Sequence, residues 1–120
     1  MLLAVSLLCG VCGLRAEEID TFLTPGGKTV TFHALMHASI RIEFDGKEME
    51  IDPVTKLGSR TTDYTAVPQA DYIFVTHEHM NHFDREALRM LTGSNTRLIT
   101  NGRCAGMLGS GEVMATDRRM

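Results

Sequence analysis

The sequence predicts an α/β fold, an antiparallel meander followed by a βαβ unit, and three observations predict it. Two stretches of strictly alternating polarity flank an Asp45-Gly46 pair. A continuous apolar run, Tyr72-Ile73-Phe74-Val75, follows a long polar segment. An amphipathic stretch and a further short run, Arg97-Leu98-Ile99-Thr100, come next, the order that puts parallel strands in one sheet with helices on its faces.

Taken in order, the chain opens with Met1 to Ala16, an apolar, small-residue segment that ends where Glu17-Glu18 begins a polar stretch. This has the form of a secretory signal peptide with Ala16 as the last residue removed, giving residues 1–16 as leader and 17–120 as the folded part. The segment lacks a basic start and has Leu14 at the −3 position, so a buried N-terminal helix is the alternative. A membrane span needs about 20 apolar residues, more than this run provides, so no stable membrane anchor is expected after cleavage. Cys9 and Cys12 have CxxC spacing but sit inside the apolar leader, where neither redox chemistry nor metal binding is plausible, and no convincing lipobox precedes either. Cys104 is then alone. A secreted or periplasmic location is expected.

Thr24-Pro25-Gly26-Gly27 reads as a turn separating leader from fold. Lys28 to Leu35 alternates with Val30, Phe32 and Ala34 on one face, and Ser39 to Asp45 with Ile40, Ile42 and Phe44 inward and Arg41 and Glu43 outward. Asp45-Gly46 suits a type I′ hairpin, whose two central residues need positive φ. Glu48 to Asp52 continues with Met49 and Ile51 inward, and Pro53 ends that strand because proline cannot continue a central ladder. Val54 to Gln69 shows no periodicity, and a loop of sixteen residues is long enough to suggest function. Ala70 to Thr76 is a buried strand. Asp84 is placed to cap a short helix through Leu91 with Ala87, Leu88 and Leu91 as its apolar face and Gly93 as its stop. Asn101-Gly102 turns into a second short helix near Arg103 to Leu108.

Composition bounds the function. A formal charge of −3, or −4 once Arg15 leaves with the leader, and the absence of a basic stripe exclude a nucleic-acid partner as the expectation. The chemistry-bearing stretch is Thr76-His77-Glu78-His79-Met80-Asn81-His82-Phe83-Asp84, which holds three of the five histidines directly after a buried strand. Neutral imidazole is the commonest ligand for zinc and similar ions. His77 and His79, two apart in extended chain, project to one side, and His82 can swing back past a turn. The helical zinc-protease pattern fails, because it needs a histidine four residues after His77 and that position is Asn81. His33, alone on a strand, is read as structural.

The stretch His77 to His82 resembles the H-x-H-x-D-H motif of the metallo-β-lactamase fold superfamily. His37-Ala38-Ser39 followed by Ile40-Arg41-Ile42-Glu43 is similar to the G-H-A-S-hydrophobic-E strand of a branch containing ascorbate-6-phosphate lactonase-like proteins and N-acylphosphatidylethanolamine phospholipase D. Ile51-Asp52-Pro53 resembles the strand-end aspartate of the superfamily and Arg97 to Asn101 its next strand, so the resemblance spans about Thr29 to Met107. It implies an αββα sandwich, here its N-terminal part, and hydrolysis of a lactone, ester or phosphodiester in a small-molecule substrate by a zinc-activated water. His77 and His79 would hold a first zinc ion, and His82 with position 81 a second. Asp52 would support the site, and His37 approaches it with no role assigned.

Two departures qualify these implications. The family aspartate is Asn81 here, and a neutral amide is a poorer ligand for a dication, so a second metal is expected to bind weakly. The family's remaining ligands come from the second half of the domain, and no histidine follows His82. The expectation is therefore part of a metal-dependent hydrolase; the alternative is a non-catalytic, degenerate or truncated member with weak or no metal binding.

Overall fold

In the computed structural model, which describes residues 17–109, six strands share one sheet and two short helices lie against one of its faces. The leader expected at 1–16 lies outside the described residues. Strands β1 (Glu18–Leu23), β2 (Thr29–Met36), β3 (Ser39–Phe44) and β4 (Lys47–Ile51) form the antiparallel part. After a two-stranded hairpin, β5 (Lys56–Leu57) with β6 (Arg60–Thr61), the chain returns as β7 (Ala70–Val75), parallel to β4. Helix α1 (Arg85–Leu91) crosses to β8 (Thr92–Thr100), parallel to β7, and α2 (Gly102–Leu108) follows. The sheet order is β1-β2-β3-β4-β7-β8, so the meander and the βαβ unit join edge to edge as expected.

The predicted turn at 24–27 does not divide leader from fold. It closes a hairpin, with Gly27 N donating to Thr24 O at 2.9 Å, and β1 pairs along β2 from Glu18↔Ala34 to Leu23↔Thr29. Glu18–Leu23 (EIDTFL) does not alternate cleanly in polarity, so period two does not mark it as a strand. The β3–β4 connection is the predicted turn, with Asp45 at φ 50° and Gly46 at φ 72°.

Register places Val30, Phe32, Ala34, Ile40, Ile42, Phe44, Met49 and Ile51 on one sheet face, as the alternation predicts, together with Phe22, Phe74 and Ile99. None of them is buried, however, and Phe32 is 36% exposed. The buried face is the opposite one, where Arg41 and Glu43 were expected to meet solvent. Ile73, Val75 and Leu98 there form a core with Ala87, Leu88 and Leu91 of α1, Cys104 and Leu108 of α2, and Tyr64. Farther along that face His33, Arg41, Glu43 and Glu48 cover one another with paired charges: Arg41 binds Glu48 through two bonds of 2.9 and 2.8 Å and Glu43 through one of 2.9 Å. The layer assignment is thus inverted on β2–β4, because helices and ion pairs cover one face and no described element packs on the other.

Helix α1 forms where Asp84 supplies Oδ1 to Glu86 N (2.9 Å) and Ala87 N (3.5 Å), satisfying first-turn amides that have no partner within the helix. Its end differs from expectation. Thr92 is the cap and β8 starts at once, so Gly93 lies inside the strand, where a Cβ would stand 2.4 Å from Gln69 Oε1. The 54–69 segment is also more ordered than its composition suggests. It holds the β5–β6 hairpin and a 3-10 turn, Tyr64–Ala66, whose Tyr64 is 1% exposed and accepts from Val54 N at 3.2 Å.

Candidate functional site

Parallel strands β4 and β7 end side by side, and the crevice beyond their carboxyl ends is where open α/β sheets bind ligands. Asp52 follows β4, and its N–H donates to Phe74 O of β7 at 2.8 Å. The residue sits at φ 42°, a left-handed conformation unusual for a side-chain-bearing residue. That turn swings the carboxylate beneath the end of β7, where it is 1% exposed. Oδ1 accepts from Thr76 N at 2.7 Å, and Oδ2 from Thr76 Oγ1 at 2.7 Å and His82 Nδ1 at 2.8 Å. Ser39 Oγ donates to Asp52 O at 2.6 Å and pins the backbone.

These contacts decide the tautomers. An ionised carboxylate only accepts, so Thr76 gives Asp52 its single hydroxyl proton. Its oxygen must then accept from His77 Nδ1, 2.9 Å away, which makes Nδ1 the protonated nitrogen of His77. His82 Nδ1 donates to Asp52 in the same way. In the neutral form of each ring the free electron pair is then on Nε2, the arrangement by which a hydrogen-bond partner orients a metal-binding histidine.

The chain between them is folded by one turn. His79 O accepts from His82 N and from Phe83 N, both at 2.8 Å, which carries His82 back over the strand end. The His77 ring lies 4.0 Å from that of His82 and 4.6 Å from that of His79, centroid to centroid. His37, in the β2–β3 turn, joins them: its ring is 5.0 Å from that of His82, and its Nε2 is 2.9 Å from Asn81 Nδ2. The structure thus brings His77, His79, His82, Asn81, Asp52 and His37 together. His33 stands apart, its Nε2 2.6 Å from Glu43 Oε2 and its Nδ1 2.8 Å from Glu17 Oε1.

Two contributors had no role in the sequence reading. Thr76 was visible as the residue after the strand, but its hydroxyl bridge needs the geometry. Asn101 caps α2 through Cys104 N at 2.9 Å and also donates to Thr76 O at 3.1 Å, tying the next parallel strand end to the site. Glu78 turns away, with its Oε1 3.3 Å from Arg103 Nε.

Among the described residues no group of three or more His, Cys, Asp or Glu side chains is already gathered to hold an ion. What the site offers is donor type and orientation, with the imidazoles of His77 and His82 anchored at Nδ1, and these fit a zinc-like cation. Beside the cluster runs a cleft of about 950 Å³ lined by Val54, Leu57, His79, Met80, Asn81 and Phe83, among others, a volume in the range of small-molecule sites.

Comparison with known proteins agrees with this architecture. No curated protein matches the chain. A crystal structure from Parabacteroides distasonis ATCC 8503, of a protein provisionally described as a metal-dependent hydrolase, matches with 35% identity and a TM-score of 0.73. The match covers 81% of this chain and 42% of that one, so the chain spans less than half the length of that relative. Residues 29–116 match the beta-lactamase superfamily domain, a range that holds every member of the histidine cluster. The chain belongs to the beta-lactamase superfamily and carries the N-terminal part of its metallo-β-lactamase fold.

Proposed function

We propose that this chain provides the β4–β7 half of the active site of a metal-dependent hydrolase that opens a lactone, ester or phosphodiester bond in a small-molecule substrate. The observation that carries this is the buried Asp52 carboxylate, which fixes His82 directly and His77 through Thr76, so that both present Nε2. His77 and His79 would hold one zinc ion, and His82 with Asn81 Oδ1 a second, weaker one. When bound, zinc supplies Lewis-acid polarisation and makes water a nucleophile at neutral pH. The chain's own residues orient the ligands, and the cleft along Leu57 and Met80 receives the substrate. The apolar leader, Met1 to Ala16, supports a secreted or periplasmic site of action. Among the described residues no helix is long and apolar enough to cross a membrane.

A second proposal, a degenerate member with little metal binding, draws on one observation: Asn81 presents its amide nitrogen, which cannot ligate, to His37. Calorimetric titration of the full chain with zinc separates the two. Binding at micromolar affinity or tighter, with hydrolysis of a lactone, ester or phosphodiester panel, supports the hydrolase. A folded chain that takes up no zinc overturns it.

A further inference from the structure

We infer that His37 is a positioning residue for Asn81, accepting a hydrogen bond from its amide so that the amide oxygen, the only side-chain atom of Asn81 able to bind a cation, is turned away from the His37 ring. The inference rests on the proposed metal site. It is carried by the 2.9 Å approach of Asn81 Nδ2 to His37 Nε2, across forty-four residues of sequence.

Chemistry restricts what that contact can be. An amide nitrogen is a donor only, so His37 Nε2 must be the bare nitrogen and its proton must sit on Nδ1. The pairing therefore sets the tautomer of His37 and the rotamer of Asn81 together. Donation through the amide N–H also polarises the amide and increases electron density at its oxygen, making a neutral ligand a better one. An aspartate at position 81 would have no proton to give. It would face the lone pair of Nε2 unless His37 moved its proton to that nitrogen.

The backbone places His37 for this purpose. It occupies the first position of the two-residue link between β2 and β3, at φ 49°. Histidine is among the residues that tolerate this left-handed region. Of the three non-glycine residues with positive φ among the described residues, Asp45 makes a hairpin turn, while His37 and Asp52 converge on the site from the ends of β2 and β4. The His37 turn is tied to Asp52 by Ser39, two residues on, whose hydroxyl holds Asp52 O at 2.6 Å. One strained turn therefore orients His82, and its neighbour orients Asn81.

The test uses the full chain with two substitutions at position 37. His37→Asn tolerates the left-handed backbone but is too short to reach Asn81. His37→Gln places an acceptor oxygen near the position of Nε2. Zinc titration is expected to show about tenfold weaker binding in His37→Asn, as for other groups that orient a ligand, and recovery towards the parent value in His37→Gln. Nitrogen-15 spectra of the metal-free chain are expected to show His37 protonated at Nδ1, and at Nε2 in Asn81→Asp. Equal zinc affinity in the parent and His37→Asn, failure of His37→Gln to recover it, or a parent His37 protonated at Nε2 each overturns the inference and leaves the metal site standing. A folded parent chain that binds no zinc overturns both.

Discussion

Asp52 Oδ2 stands 2.8 Å from His82 Nδ1, and the same oxygen takes the hydroxyl proton of Thr76 at 2.7 Å. One buried carboxylate thus holds the strand end and the returning histidine in a fixed relation. Asp52→Asn keeps a residue that tolerates the left-handed backbone, but it can place an amide N–H where two donors now meet. We predict a loss of about 1–3 kcal/mol in stability, the scale for an unsatisfied buried group, measured by urea unfolding. Zinc affinity should fall about 10–100-fold. Unchanged zinc affinity would remove Asp52 from the site.

Asn81→Asp converts a neutral side chain into a charged one at the end of the histidine turn. Charge-assisted contacts are about twice as strong as neutral ones. Affinity for a second zinc ion should rise by about tenfold, equivalent to ~1.4 kcal/mol, and hydrolytic turnover should rise with it. Stoichiometry from calorimetry and an ester or phosphodiester assay on the same preparation check both. If neither changes, position 81 does not serve a second metal.

Much of this architecture was legible in the residues. Period-two alternation located β2, β3 and β4, Asp45-Gly46 located the β3–β4 hairpin, and the histidines after Val75 pointed to the candidate site. What could not be read was which sheet face would be covered. Alternation marks Ile42 and Arg41 as opposite neighbours but does not say what packs on either side. Here Arg41 folds onto Glu48 and Glu43 on the covered side, while Ile42 stays half-buried. The tautomers of His77 and His82 were equally out of reach, because they depend on Thr76 and Asp52, twenty-four residues apart, sharing a proton.

The exposure difference between the faces predicts unequal sensitivity to truncation. Leu91 is fully buried in the core that also holds Ile73 and Leu98, so Leu91→Ala should cost about 2–5 kcal/mol. Ile42 is half-buried on the uncovered face, and Ile42→Ala should cost about 1 kcal/mol, since the side chain gives up little transfer energy. Denaturant unfolding of the two variants gives the comparison. An Ile42 cost equal to that of Leu91 would mean the apolar face is covered in solution.

Glu50 supplies a pH dependence of definite sign. It is 1% exposed on the covered face, and neither carboxyl oxygen has a hydrogen-bond partner among the described residues. Burial pushes its carboxyl up to about 8, against the pull of Arg41 and with help from Glu48 and Glu17. The native chain therefore keeps a proton that the unfolded chain releases at ordinary carboxylate pH. Stability from this group is complete below the unfolded value of 4.5 and is lost as pH rises towards 8, by at most about 1.4 kcal/mol per pH unit. Glu43 is held low by its hydrogen bond to His33 and has the opposite trend, but only in the acid range, so the two effects separate. Urea unfolding between pH 5 and 8 should show the parent chain losing a few kcal/mol more than Glu50→Gln, which has no proton to lose. Parallel profiles for the two proteins would mean that Glu50 is ionised in the native state and that a charge partner reaches it.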